Sequence, residues 1–135
     1  MKKLAKEVRQ YLKKYDRCKF SVTSSYNTIN VMVLKAPFEA WDWDSIEEQN
    51  KLVEPYRQIN IEHLKESRSS GVNHFYIDEG KKGYTNEMQK MLVEIATLLK
   101  RDNKIIREDS DYGNIPNYYI NMEVGKWDKP FEIAK

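Results

Sequence analysis

Apolar residues recur along the chain with two different periods, and the change from one to the other marks its elements. Leu4, Val8, Tyr11, Leu12 and Tyr15 fall on one arc at about 100° per residue, with lysines and arginine on the opposite arc. This predicts an amphipathic helix from about Lys2 to Tyr15. Period 2 follows: Cys18–Thr23, with Phe20 and Val22 alternating, and Thr28–Leu34 read as strands joined by the turn formers Ser24, Ser25, Tyr26 and Asn27, a hairpin. Ser45 and Glu48 have the spacing of a capping box, and Pro55 ends or kinks the short helix they would open. From Tyr56 to Gly83 no period is sustained. Ile59 and Ile61 alternate, Ser67–Gly71 reads as a loop and Asn73–Ile77 as a short strand. The helical period returns after the N-cap candidate Thr85. Met88, Met91, Leu92, Ile95, Leu98 and Leu99 keep one face to about Arg101. A polar linker around Arg107–Asn117 leads to a last strand, Tyr118–Val124, with Tyr118, Ile120, Met122 and Val124 on one face.

This order predicts an α+β fold: a small antiparallel sheet, made of the N-terminal hairpin plus the C-terminal strand, with two main helices packed on one face. A chain of 135 residues accommodates this as a single domain over 1–135. The two main strand regions also echo each other. Val31–Leu34 runs into Pro37-Phe38-Glu39 with Trp41-Asp42 beside it, and Tyr118–Met122 leads to Trp127-Asp128 and Pro130-Phe131-Glu132. Proline cannot donate to a ladder, so each exit ends its strand and sets large rings at the sheet margin. Trp127, just past the last strand, is expected to fold over the sheet edge.

Composition fits a soluble globular protein, 40% hydrophobic and 33% charged, and no apolar run approaches the length of a membrane span. The basic N-terminus is followed by no apolar block or small-residue cleavage site, so a cytoplasmic location is expected. The lone Cys18 agrees with this, since it has no partner for an internal disulfide. The net charge of +2 conceals an asymmetry: lysines and arginines crowd the first twenty residues, and Glu39, Asp42, Asp44, Glu47, Glu48 and Glu54 crowd the next acidic stretch.

The familiar arrangements of catalysis are missing. Gly80-Lys81-Lys82-Gly83 has neither the length nor the following Ser or Thr of a phosphate loop, and no serine lies in a nucleophile elbow. His63 and His74 match no compact metal-ligand spacing, and Glu47-Glu48 reads as a solvated helix face. The expectation is a protein that is not an enzyme, with no metal and no cofactor.

Binding is better supported by the residues. Trp41-Asp42-Trp43-Asp44 alternates rings and carboxylates, an acidic-aromatic patch suited to a basic groove on a protein; Trp41 could equally cap the core beneath the hairpin. Other rings, including Phe75, Tyr76 and Tyr119, are more than one small core requires and lie at strand ends or in loops, where they could anchor a protein partner or a second copy of the chain. The alternative surface is the exposed arc of the first helix. There Lys6, Arg9 and Lys13 could contact phosphates of a nucleic acid, with Tyr26 or Tyr112 stacking on bases.

Lys19-Phe20-Ser21-Val22, Ile29-Asn30-Val31, Ala36-Pro37-Phe38, Asp111-Tyr112 and the string Gly125-Lys126-Trp127-Asp128-Lys129-Pro130-Phe131 together resemble the large polyvalent protein-associated domains. The resemblance covers the hairpin and the C-terminal strand and leaves the acidic middle unmatched. It implies a phage or conjugative-element protein, a small free-standing member of that group, and brings no catalytic residues with it. A non-enzymatic phage protein with an acidic-aromatic patch is expected to bind a host macromolecule, such as a defence-system protein, as an anti-CRISPR-like inhibitor does.

Overall fold

The computed structural model describes residues 1–109, 111 and 113–134. Helix α1, Lys2–Leu12, buries Ala5, Val8 and Leu12, one residue per turn along one stripe. The turn after it passes through Arg17 in the left-handed region (φ 58°) and delivers the chain into the hairpin β1, Lys19–Ser24, and β2, Thr28–Ala36. Their register is antiparallel, with Phe20 opposite Val33 and Val22 opposite Val31. Along β2, Ile29, Val31 and Val33 are buried and the alternate residues are half-buried, which places the core on one face of the sheet.

Helix α2, Trp43–Lys51, opens on Asp42, whose carboxylate accepts the Ser45 N–H, so Ser45 lies in the first turn and is not the cap. A single 3₁₀ turn, Pro55–Arg57, leads to α3, Ile61–Ser67, capped by Asn60 and ended by Arg68 in the left-handed conformation. The segment expected to be a loop supplies strand β3, Ser70–Val72, and Asn73–Ile77, expected to be a strand, is a run of turns. The reason is local: the Asn73 side chain accepts the Phe75 N–H and its carbonyl the Tyr76 N–H, and these bonds curl the backbone.

Thr85 caps α4, Asn86–Lys100, by accepting the Met88 N–H, and the helix buries Met88, Met91, Leu92, Ile95, Ala96 and Leu99. The expected polar linker is a two-stranded antiparallel ribbon, β4, Ile105–Asp109, and β5, Gly113–Pro116. Strand β6, Tyr119–Val124, then enters beside β2, with Val31 opposite Met122, and the two-residue β7, Glu132–Ile133, continues along the far end of β2.

The α+β class and the antiparallel hairpin are as the sequence predicts. The C-terminal strand differs: β6 pairs with β2 in parallel, so the main sheet is mixed, in the order β1-β2-β6-β3, with β3 antiparallel to β6. A chain returning from α4 through the β4–β5 ribbon reaches the start of β2, near Asn27, and from there can only run alongside it. The buried side chains of both helices and the sheet form one contiguous core.

Helices α1 and α4 are locked by a polar cluster. The Glu94 carboxylate accepts from the Tyr15 and Tyr11 hydroxyls and from Lys14, at 2.7, 3.3 and 2.9 Å. The Tyr15 hydroxyl holds Glu94 below the usual carboxylate range, with Lys14 adding to the effect, while burial pushes Tyr15 upward. Because the folded value is depressed, the contribution of Glu94 to stability is full above about pH 4.3 and is lost as pH falls through the lower, folded value. Glu94→Ala should cost about 1–2 kcal/mol at neutral pH. Thermal melts from pH 7 to pH 3 are expected to show the gap between parent and variant closing at the acid end.

Candidate functional site

At the start of β6, two connecting segments meet over the sheet and leave an apolar cleft of 430 Å³ between them. Its floor is Tyr118, buried and fixed by a 2.6 Å hydrogen bond from its hydroxyl to the Leu99 carbonyl, together with Ile120. One wall is the 73–76 turn. Lys100, in the last turn of α4, donates to the His74 carbonyl at 2.7 Å and pins that turn, and the His74 ring lies on Phe75 with centroids 4.1 Å apart. The opposite wall is the β4–β5 ribbon, held at its base by amides: Asn103 donates to the Asn117 side chain and the Tyr118 carbonyl, and Asn117 donates to the Asp102 carbonyl.

The rim is unusual for a protein surface. Phe75 is 66%, Ile105 53% and Tyr119 48% exposed around the opening. Large apolar groups scattered singly are ordinary, but several gathered at one concavity mark an interaction site. Burial pushes the His74 imidazole below its usual value, so it is neutral at pH 7, and the Asn103 amide is committed to the ribbon. Among the described residues lining the cleft there is no acid–base pair and no nucleophile.

The acidic-aromatic stretch has a different arrangement from the one its sequence suggested. Trp41 is buried, donates its indole N–H to the Ser70 hydroxyl, and meets the Phe131 ring edge-on at 5.8 Å. Asp42 serves as the α2 cap and pairs with Lys81, which holds its carboxyl below the usual range. Trp43 is half-buried against Trp41, with the Lys65 ammonium 5.3 Å from its ring, and Asp44 is exposed. The four residues are adjacent, yet Trp41 is buried, Asp42 and Trp43 are half-buried, and Asp44 alone is exposed.

On α1, Lys6, Arg9 and Lys13 are exposed on one arc as predicted. Arg9 reaches across to donate to the Val22 carbonyl at 2.8 Å, which covers part of the β1 edge and commits one side of the guanidinium. Tyr26, at the hairpin tip, is 98% exposed; Tyr112 lies outside the described residues. Trp127 does not fold over the sheet edge. It stands 92% exposed on a turn, because the following chain is anchored by Phe131 instead. His63 lies exposed on α3 and His74 at the cleft, and among the described residues no three His, Cys, Asp or Glu side chains gather as metal ligands would.

Sequence reasoning missed Ile105 and Ile106, which it assigned to no element. Their signal was an adjacent apolar pair at the edge of a polar stretch, followed by Gly113, which turns the ribbon with φ 75°.

The fold is that of a small α+β protein with an apolar cleft at the start of β6. The sequence model of the large polyvalent protein associated domain 29 matches residues 1–109, and the chain belongs to that family. Membership associates it with phages and mobile elements. The matched span includes α1 to β4 and stops short of β5, β6 and the Gly125–Phe131 string. No curated protein and no solved structure matches the chain. Among the described residues, no helix is long and apolar enough to cross a membrane.

Proposed function

We propose that this chain works by stoichiometric, non-covalent binding to a host protein, without catalysis, and that the cleft between the 73–76 turn and the β4–β5 ribbon makes the contact. The observation that carries this reading is the rim of Phe75, Ile105 and Tyr119, aromatic and aliphatic anchors exposed around an apolar hollow of a size that takes one or two side chains. The ribbon adds to it. It has two strands only, so its outer edge can extend to a partner strand while the cleft receives that partner's side chains. In a phage or mobile element, the host macromolecules whose occupation brings the largest benefit are defence effectors. An anti-CRISPR-like inhibitor is the specific form of this proposal, with Trp43 and Asp44 as a secondary contact.

Photocrosslinking separates this surface from others. With p-benzoylphenylalanine in place of Phe75, irradiation in host lysate is expected to yield one predominant crosslinked protein, and with the same group in place of Tyr26 it is not. A crosslink to a second copy of the chain would identify the cleft as a dimer surface. Equal yields from both positions would remove the cleft from the account.

A further inference from the structure

The far end of β6 from the cleft carries a second surface. After Val124 the chain makes a two-residue turn in which Lys126 and Lys129 exchange backbone hydrogen bonds, both 3.0 Å, and Trp127 and Asp128 form the tip. The turn is mounted firmly. Gly125 has φ 70°, and its α-carbon is packed so closely under the Arg68 carbonyl that a Cβ there would lie 2.3 Å from the oxygen. Beyond the turn, Phe131 is buried, donates its N–H to the Arg68 carbonyl, and receives a hydrogen bond from the Arg68 side chain on its own. On this fixed support Trp127 has no ring neighbour and no hydrogen-bond partner among the described residues.

The surroundings of the ring are cationic. Beside the turn a groove of 370 Å³ is lined by Lys19, Lys35 and Lys129, with Leu34 and Pro130 as its apolar part and Asp128 and Glu132 as its acids. Glu132 is partly offset by Lys35 at 3.7 Å. Three lysines therefore line the groove with two carboxylates, and Lys126, half-buried, lies on the adjoining turn. Lys19 opens β1, and just before it in the chain Arg17 is offset by Asp16 at 3.7 Å. Protein interfaces deplete lysine and set a hot-spot tryptophan among apolar neighbours, which Trp127 lacks. A bare indole face on a rigid turn, beside a lysine-lined groove, has the parts of a stacking platform with a phosphate track.

We infer that the Trp127 turn and its groove bind single-stranded nucleic acid, with a base stacked on the indole and the backbone phosphates following Lys129, Lys35 and Lys19. This site is separate from the cleft and does not depend on it. The lysines read charge and the ring reads any base, so binding is sequence-tolerant and falls steeply with salt.

The test is fluorescence anisotropy with labelled oligo-dT and oligo-U of about 12 nucleotides, at low and moderate salt, using the full chain. Trp127→Ala is expected to weaken binding about tenfold, with an unchanged melting temperature because the side chain is exposed. Lys126→Glu combined with Lys129→Glu should weaken it further and flatten the salt dependence. Binding to either oligonucleotide with this pattern supports the inference, and the stronger arm identifies the preferred sugar. Failure of the parent to bind both at low salt, equal binding by Trp127→Ala, or equally tight Trp127-dependent binding of a polyglutamate peptide would each overturn it, the last by showing a surface for acidic proteins.

Discussion

Gly125→Ala is expected to destabilise the fold by about 3 kcal/mol, the combined cost of a left-handed residue with a side chain and of a steric conflict that cannot relax cheaply. The conflict is with backbone on both sides: the new Cβ would lie 2.3 Å from the Arg68 carbonyl oxygen and 2.9 Å from the Phe131 nitrogen. That carbonyl is the acceptor for the Phe131 N–H at 2.8 Å, so moving it breaks the hydrogen bond that closes the sheet's end. It also displaces Arg68, whose guanidinium is bidentate with Glu39 at 3.1 and 2.9 Å and lies against the Trp41 and Phe131 rings. The two Pro-Phe-Glu exits are held together here, Glu39 from the first and Phe131 from the second, by one arginine. Melting by circular dichroism should fall on the order of 10 °C for Gly125→Ala. Gly71→Ala, where nothing lies within 4 Å and φ is ordinary, should move it by far less.

Phe75→Asp combined with Ile105→Asp is expected to weaken partner binding more than 100-fold while the protein stays folded. Each aromatic or aliphatic anchor at the centre of an interface typically contributes about 2 kcal/mol or more, and two are removed. The replacements add a second penalty, since two carboxylates would have to be desolvated in an apolar cleft. Both side chains are more than half exposed, and substitutions of that kind change stability by roughly 0.5 kcal/mol or less.

The parts of this structure that were legible in the sequence are those governed by local periodicity. Leu4, Val8 and Leu12 announce α1, the Thr85 cap and the Met88–Leu99 stripe announce α4, and the alternation of Phe20 with Val22 announces the hairpin. Periodicity reports which face of a strand is buried and not which strand lies beside it, so the parallel pairing of β6 with β2 was not visible. Ser70-Gly71-Val72 is too short and polar to read as a strand, and becomes one because β6 offers an edge. Asn73–Ile77 has strand composition, but side-chain and backbone bonds from Asn73 curl it into turns and leave Phe75 exposed at the cleft. The site was legible as an excess of rings, with Phe75, Tyr76 and Tyr119 among them, and illegible as a place. The two walls of the cleft are about thirty residues apart in sequence, and only the fold brings them together. Trp41 and Trp127 show the same limit in reverse. Each is a Trp-Asp pair near a Pro-Phe-Glu exit, and long-range contacts to Ser70 and Phe131 bury one while the Gly125–Arg68 contact turns the other outward.

The most direct measurement is affinity capture from nuclease-treated host lysate, run side by side with the parent, the Phe75→Asp/Ile105→Asp variant and a Trp43→Ala/Asp44→Ala variant, with captured proteins quantified against bait. A protein retained near one-to-one by the parent, lost from the cleft variant and reduced in the third is expected. Retention of the same protein, at the same ratio, by the folded cleft variant would contradict it.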